Sequence, residues 1–287
     1  MNIYKNISDK IEPPIVEAIS RCVHVSDKLA IPFMVVGATA RDVIFSTIFG
    51  IPTRRATLDV DLAVRVKNWA EYSFFREALL QSGVFSVERE SRAHRFRHSN
   101  GTLVDLIPFG GIEDPPGFIS WPPHHDVAMP IIGFVDMFDA AVIIRFRNKP
   151  ILDVSVITLA GLAISKLIAW NARSSATPKD ATDLYFIMTK YVDAGNDDRP
   201  YHSDSDISEE PDFDYTSVSP RLLGRDMAAI MSGDTREVIE NILVEETRDE
   251  SDFLLARHMS YHSADDDGTQ QVLKLLKQLQ LGLTERT

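Results

Sequence analysis

The 287-residue sequence has a single cysteine, Cys22, no dense basic stripe, and no apolar run close to the roughly 20 residues that a membrane-spanning helix needs. Each absence removes a class. One thiol excludes an intramolecular disulfide, and its place in an apolar, helix-patterned stretch marks it as structural rather than nucleophilic. The opening segment MNIYKNISDKIEPP carries no apolar core behind its first charges, so a cytoplasmic address with no membrane partner is expected. No GxxxxGK[ST] loop, GxSxG elbow or kinase motif set occurs, which removes those nucleotide and hydrolase chemistries. His124 and His125, like His258 and His262, lack the accompanying Cys or Glu of a zinc site. Internal repeats are absent too.

What is present is unevenly distributed. The net charge of −12 comes from 30 basic and 42 acidic residues, of which residues 1–150 hold 17 and 17, leaving 13 basic and 25 acidic residues behind them. Much of the excess falls in DAGNDDRPYHSDSDISEEPDFDYTS, residues 193–217. Like charges, Ser and Pro there leave little to bury, which predicts a flexible linker or long loop.

Apolar spacing predicts a helix from about Pro14 to Leu29, a buried strand FMVV, and a helix TARDVIFSTIF ending at Gly50. A strand TLDVDLAVRV follows, then a helix capped by Asn68 and stopped at Gly83. Strands VFSVERE, AHRFRHS and TLVDLIPF come next, the last two joined at Asn100 and Gly101. GGIEDPPGFISWPPHHDVAMP reads as a long loop, and AAVIIRF and ILDVSVI as two more strands. From Thr158 the period is helical. The expectation is an α/β (α+β) mixed sheet with flanking helices over residues 1–157, followed by a helical domain over 158–287.

Within this frame the carboxylates carry the chemistry. Side chains at i and i+2 of a strand share a face, so Asp59 and Asp61 point the same way while Leu58, Val60, Leu62 and Val64 pack into a core. Such neighbours repel unless water, a proton or a cation separates them. Asp105, on a strand face with Leu103 and Ile107, needs a partner of its own. If its strand lies beside the first, three carboxylates converge, the donor set that hard cations such as Mg²⁺ select. Upstream, Gly37 and Ala38 let backbone amides approach a ligand and start a helix aimed at it, an arrangement suited to phosphate. Thr39 either adds a hydroxyl contact or caps that helix.

This order of parts, VGATARDVIF followed by LDVDLAV and a later strand Asp, resembles the polymerase-β-like nucleotidyltransferase superfamily, with Ala38 where a second Gly or a Ser is usual. Arg41 and Asp42 match its RD pair, or form a surface pair on a helix. ISKLIAWNARSSATPKDATDLYFI is similar to the later motifs of AbiEii-type nucleotidyltransferase toxins. That resemblance places Lys166, Lys179, Asp180 and Asp183 at the active site; by physics alone the two aspartates need only favour a helix start. It implies transfer of a nucleoside monophosphate from an NTP to an acceptor hydroxyl of tRNA or protein, with pyrophosphate released. Asp59, Asp61 and Asp105 would bind Mg²⁺ or Mn²⁺, with Gly37, Ala38, Thr39, Arg41, Lys166 and Lys179 at the nucleotide and Lys166 and Asp183 completing the catalytic set. A toxin or defence role with a cognate antitoxin follows from the same resemblance. Two alternatives stay open: an aminoglycoside-type small-molecule acceptor, and a non-catalytic antitoxin-like module. Arg95 and Arg97 share a strand face that meets phosphate or RNA, or is simply exposed; Arg54 and Arg55 serve a nucleic acid or are solvated.

Overall fold

Alternation of buried and half-open positions organises the first half of the chain. In a computed structural model, residues 3–53, 59–89, 94–122, 128–174, 176–210, 213–260 and 266–285 are described. They fall into two compact units, Met1–Thr158 and Leu159–Thr287.

The first unit contains strand β1 (Ile3–Asn6), helix α1 (Pro13–Leu29), β2 (Phe33–Val36), and α2 (Gly37–Asp42), which runs on as a π-helical turn, Val43–Ile48. Then come β3 (Asp59–Val66), α3 (Trp69–Gln81), β4 (Phe85–Val87), β5 (Arg95–His98) and β6 (Leu103–Gly110). A small hairpin of β7 (Phe118–Ser120) and β8 (Ala128–Pro130) precedes α4 (Phe134–Asp139), β9 (Val142–Asn148) and β10 (Ile151–Val156). Eight strands form one mixed sheet in the order β1-β9-β10-β2-β3-β6-β5-β4. Neighbours β2 and β3 are antiparallel, β3 and β6 parallel, β6 and β5 antiparallel.

Sequence explains most of these elements. Pro13 and Pro14 occupy the first turn of α1, where their missing N–H groups cost nothing. Its apolar stripe, Ile15, Ala18, Ile19, Cys22 and Val25, is buried, and that burial pushes the Cys22 thiol up to about 12. Asn68 caps α3 by accepting from the Glu71 amide at 3.0 Å. On β3, Val60, Leu62 and Val64 are fully buried; Leu58 lies outside the described residues.

Four expectations are corrected. The Pro- and Gly-rich passage is not wholly a loop, because Phe118–Ser120 and Ala128–Pro130 pair. Strand β1 and helix α4, both too short to show a period, were missed. The partner of Asp105 differs from the apolar setting expected: Val104 and Leu106 make the buried face of β6, and Asp105 shares the half-open one with Leu103 and Ile107. Finally, the acidic stretch, expected as a flexible linker or long loop, holds a 3₁₀ turn and a short helix among its described residues and is tied down by ion pairs.

That last correction belongs to the second unit. Its helices are α5 (Leu159–Arg173), α6 (Lys179–Lys190), α7 (Ser205–Ser208), α8 (Tyr215–Ile230), α9 (Gly233–Thr247), α10 (Leu254–Met259) and α11 (Asp266–Thr284), with a 3₁₀ turn at Arg199–Tyr201. Helices α8 and α11 cross at backbone contact. A Cβ on Gly224 would stand 2.3 Å from the Leu279 carbonyl, and one on Gly282 2.1 Å from that of Arg221. Arg221 and Arg225 flank this crossing and are almost wholly buried. Their counter-ions come from the acidic stretch and the chain end. Arg225 donates to Asp204 at 2.9 Å and also holds Asp206 and Glu285; Arg221 holds Glu210 at 2.6 Å and Glu285. Arg199 donates to Asp204 at 2.9 Å and pairs with Asp226. Burial alone would raise the Asp204 carboxyl, but bonds from Arg199, Arg225 and Ser203 hold it at about 2.

A carboxyl depressed in the folded state stabilises above its unfolded value and loses that contribution as it protonates. The Asp204 share of stability is therefore complete above about pH 4 and lost as pH falls toward 2, and Asp204→Asn should flatten that part of an acid-unfolding curve followed by circular dichroism. Glu285→Ala, which leaves two buried guanidiniums short of a partner, should cost about 2–4 kcal/mol in urea unfolding.

Candidate active site

The end of β2 meets the beginning of β3, with Val36 opposite Asp61. The next residue, Gly37, has φ +66°, and a Cβ built on it would stand 2.0 Å from Asp61 Oδ2. Only glycine both adopts that backbone and lets the carboxylate lie against the main chain. Ala38 follows, half-buried. Thr39 is 3% exposed and donates its hydroxyl to the Asp59 carbonyl oxygen at 2.6 Å. Its hydroxyl therefore neither caps the helix nor waits for a ligand; it staples the turn to the strand bearing both aspartates. Arg41 and Asp42 form a partly buried pair, with Nε and Nη2 donating to Oδ1 at 3.0 and 2.9 Å.

Strand β6 lies beside β3 with Asp61 in register with Asp105. Paired residues of neighbouring strands stand about 4.8 Å apart with side chains on one face. Asp59, Asp61 and Asp105 therefore share a face, as expected. On the other side of β6, Arg95 of β5 is in register with Asp105. Its Nε donates to Oδ1 at 2.7 Å and its Nη2 to Oδ2 at 2.5 Å. The guanidinium is held more basic than usual, first by those hydrogen bonds; burial opposes, and the charges of Asp105, Asp59 and Glu88 add to it. Arg97 pairs instead with Glu88, at 3.0 Å on a more exposed part of the strand.

The donor chemistry fits a divalent cation: two carboxylates on one rigid strand supply hard oxygens. Among the described residues no group of three or more His, Cys, Asp or Glu is arranged to hold an ion. Both oxygens of the third carboxylate, Asp105, are engaged by Arg95.

In the second unit, Lys166 of α5 lies between two carboxylates of α6, its Nζ 3.1 Å from Asp180 Oδ1 and 2.7 Å from Asp183 Oδ2. Asp180 also binds Arg173 at 2.7 Å. Both aspartates are more than nine-tenths buried, Asp183 at 9% and Asp180 at 4% exposure, so they do more than favour a helix start. Burial disfavours the Lys166 ammonium, but the charges of Asp183 and Asp180 outweigh it and its pKa is raised. Lys166 is thus a fixed cation. Lys179, the first residue of α6, is exposed. Sequence reading missed Arg173, although its place seven residues after Lys166 puts the two on one helix face. His258 accepts from the Trp170 indole at 3.0 Å. Arg54, Arg55, His124, His125 and His262 lie outside the described residues.

Carboxylates on adjacent strands behind a glycine turn, on a mixed sheet followed by helices, are the parts of a nucleotidyltransferase. The sequence profile of the family described as nucleotidyl transferase AbiEii toxin, type IV TA system, matches residues 24–255. The chain belongs to the AbiEii nucleotidyltransferase toxin family, and it is a nucleotidyltransferase of a toxin–antitoxin class. Among solved structures, the solution structure of the antibiotic-resistance factor ANT(2'')-Ia is matched at 14% identity and a TM-score of 0.36, over 69% of this chain and 97% of that one. No curated protein matches.

Gly37→Ala should be costly twice over. The left-handed backbone alone costs roughly 1–2 kcal/mol, and the added methyl displaces the Asp61 carboxylate. Urea unfolding should show the first effect, and loss of divalent-cation binding by calorimetry the second.

Proposed function

We propose that the protein transfers a nucleoside monophosphate from an NTP to an acceptor hydroxyl on tRNA or protein, as the toxin of a defence system neutralised by a cognate antitoxin. The observation that carries this reading is the register of Asp61 with Asp105 beside the Gly37 turn, in a chain of a nucleotidyl transferase family. Residues 1–157 act as the catalytic domain and 158–287 as the helical one, working in the cytoplasm where NTPs are abundant. No helix among the described residues is long and apolar enough to cross a membrane.

Asp59 and Asp61 hold the divalent cation, Mg²⁺ or Mn²⁺, with Asp105 as the third ligand. A bound cation in such a site supplies charge neutralisation at the reacting phosphate. Gly37, Ala38 and the backbone up to Thr39 and Arg41 face the triphosphate. The acceptor oxygen forms a bond to the α-phosphorus as the α–β anhydride bond breaks, pyrophosphate leaves with that electron pair, and the hydroxyl proton passes to solvent. A cation held in part by Asp105 would lower the acceptor hydroxyl's pKa. Lys166, kept protonated by Asp183 and Asp180, and the exposed Lys179 are phosphate-binding cations, Lys166 as a fixed point charge.

The test is incubation with each of four labelled NTPs, Mg²⁺, and total tRNA, cell protein or aminoglycosides in separate reactions. Label should enter tRNA or protein, and Asp61→Asn should reduce it on the order of a thousandfold. Label in aminoglycosides alone would move the acceptor to small cationic molecules; no label with any acceptor would overturn the reading.

A further inference from the structure

Resting on the catalytic reading above, the geometry points to Arg95 as a substrate-binding residue that exchanges partners: it clamps Asp105 in the arrangement seen here and transfers to the nucleotide's phosphates when Asp105 turns to a cation. Three adjacent strands place Asp61, Asp105 and Arg95 in one row across the sheet. The guanidinium fork meets both oxygens of Asp105, and the planar fork that fits a carboxylate also fits a phosphate. Arg95 is the basic residue of that row, because Arg97 on the same strand face is committed to Glu88. The pair is partly open, with Arg95 21% and Asp105 15% exposed, so neither group needs to cross a packed core to change partner.

Charge accounts for both states. Without a ligand, three neighbouring carboxylates repel, and Arg95 neutralises the one that Asp61 faces. A cation attracts Asp105 while the accompanying phosphates attract Arg95. Each group then leaves one charge-assisted bond and gains another, so the exchange proceeds without leaving a charge unpaired.

The exchange predicts effects of opposite sign. Arg95→Ala should release Asp105 and bind Mn²⁺, followed by the spin-resonance signal of the free ion, about tenfold tighter than wild type. The same variant should bind tripolyphosphate, measured by calorimetry in saturating Mg²⁺, about tenfold weaker, the lower end expected for a lost charge-assisted bond. Arg95→Lys, which keeps the charge but loses the fork, should shift both constants the same ways by less, and serves should the alanine variant not fold. Weakening of both ligands, or no change in either, would overturn the exchange and leave Arg95 a structural residue. Asp61→Asn separates the two readings. If it loses Mn²⁺ binding while the Arg95 variants gain none, only the exchange fails; if wild type binds Mn²⁺ no better than Asp61→Asn, the catalytic reading fails with it.

Discussion

Repulsion among Asp59, Asp61 and Asp105 is the constraint around which the first unit is built. Three carboxylates on one face of adjacent strands are unfavourable without compensation, and the neighbouring elements position them or offset their charge. Gly37 removes a side chain so that Asp61 can lie against the turn. Thr39 fixes the main chain of Asp59, and Arg95 neutralises Asp105 from the next strand. On the opposite face of the same strands, Val60, Leu62, Val64, Val104 and Leu106 are fully buried. Their packing keeps the strands from sliding apart, since a one-residue slip would turn the carboxylates into the core.

The second unit meets a related problem with reversed signs. Arg221 and Arg225 are buried beside a helix crossing that requires glycine on both partners. An isolated buried guanidinium is costly, whereas one with several carboxylate partners is tolerable. The acidic residues of the stretch after α6 supply those partners, and Glu285 adds one from the chain end. Asp204, Asp206, Glu210 and Glu285 are therefore committed to pairing with Arg221 and Arg225. Lys166 repeats the pattern on a smaller scale between Asp180 and Asp183.

Long periodic elements and the candidate carboxylates are legible in the sequence. The alternation in LDVDLAV identified which residues of β3 face inward, and helical spacing from Thr158 onward identified the second unit's main helices. Short elements escaped. Strand β1 and helix α4 have four and six residues, too few for a period to emerge from composition. Sequence shows the like charges of the acidic stretch side by side but not the arginines 11 to 21 residues later that pair with them.

Sequence by itself determined that Asp59 and Asp61 share a strand face and that a glycine turn precedes them, because side-chain alternation and backbone sterics are local properties. Only the tertiary structure decided that Asp105 stands beside Asp61 and is clamped by Arg95. That depends on register, and register depends on the turn: the His98 N–H donates to the Thr102 carbonyl oxygen across a three-residue loop, Ser99–Gly101, where Asn100-Gly101 as a two-residue turn would have set Arg95 opposite Leu106. A single residue of turn length moves the guanidinium from the carboxylate face to its opposite, so the charge pairing at the site was settled by strand pairing rather than by any motif.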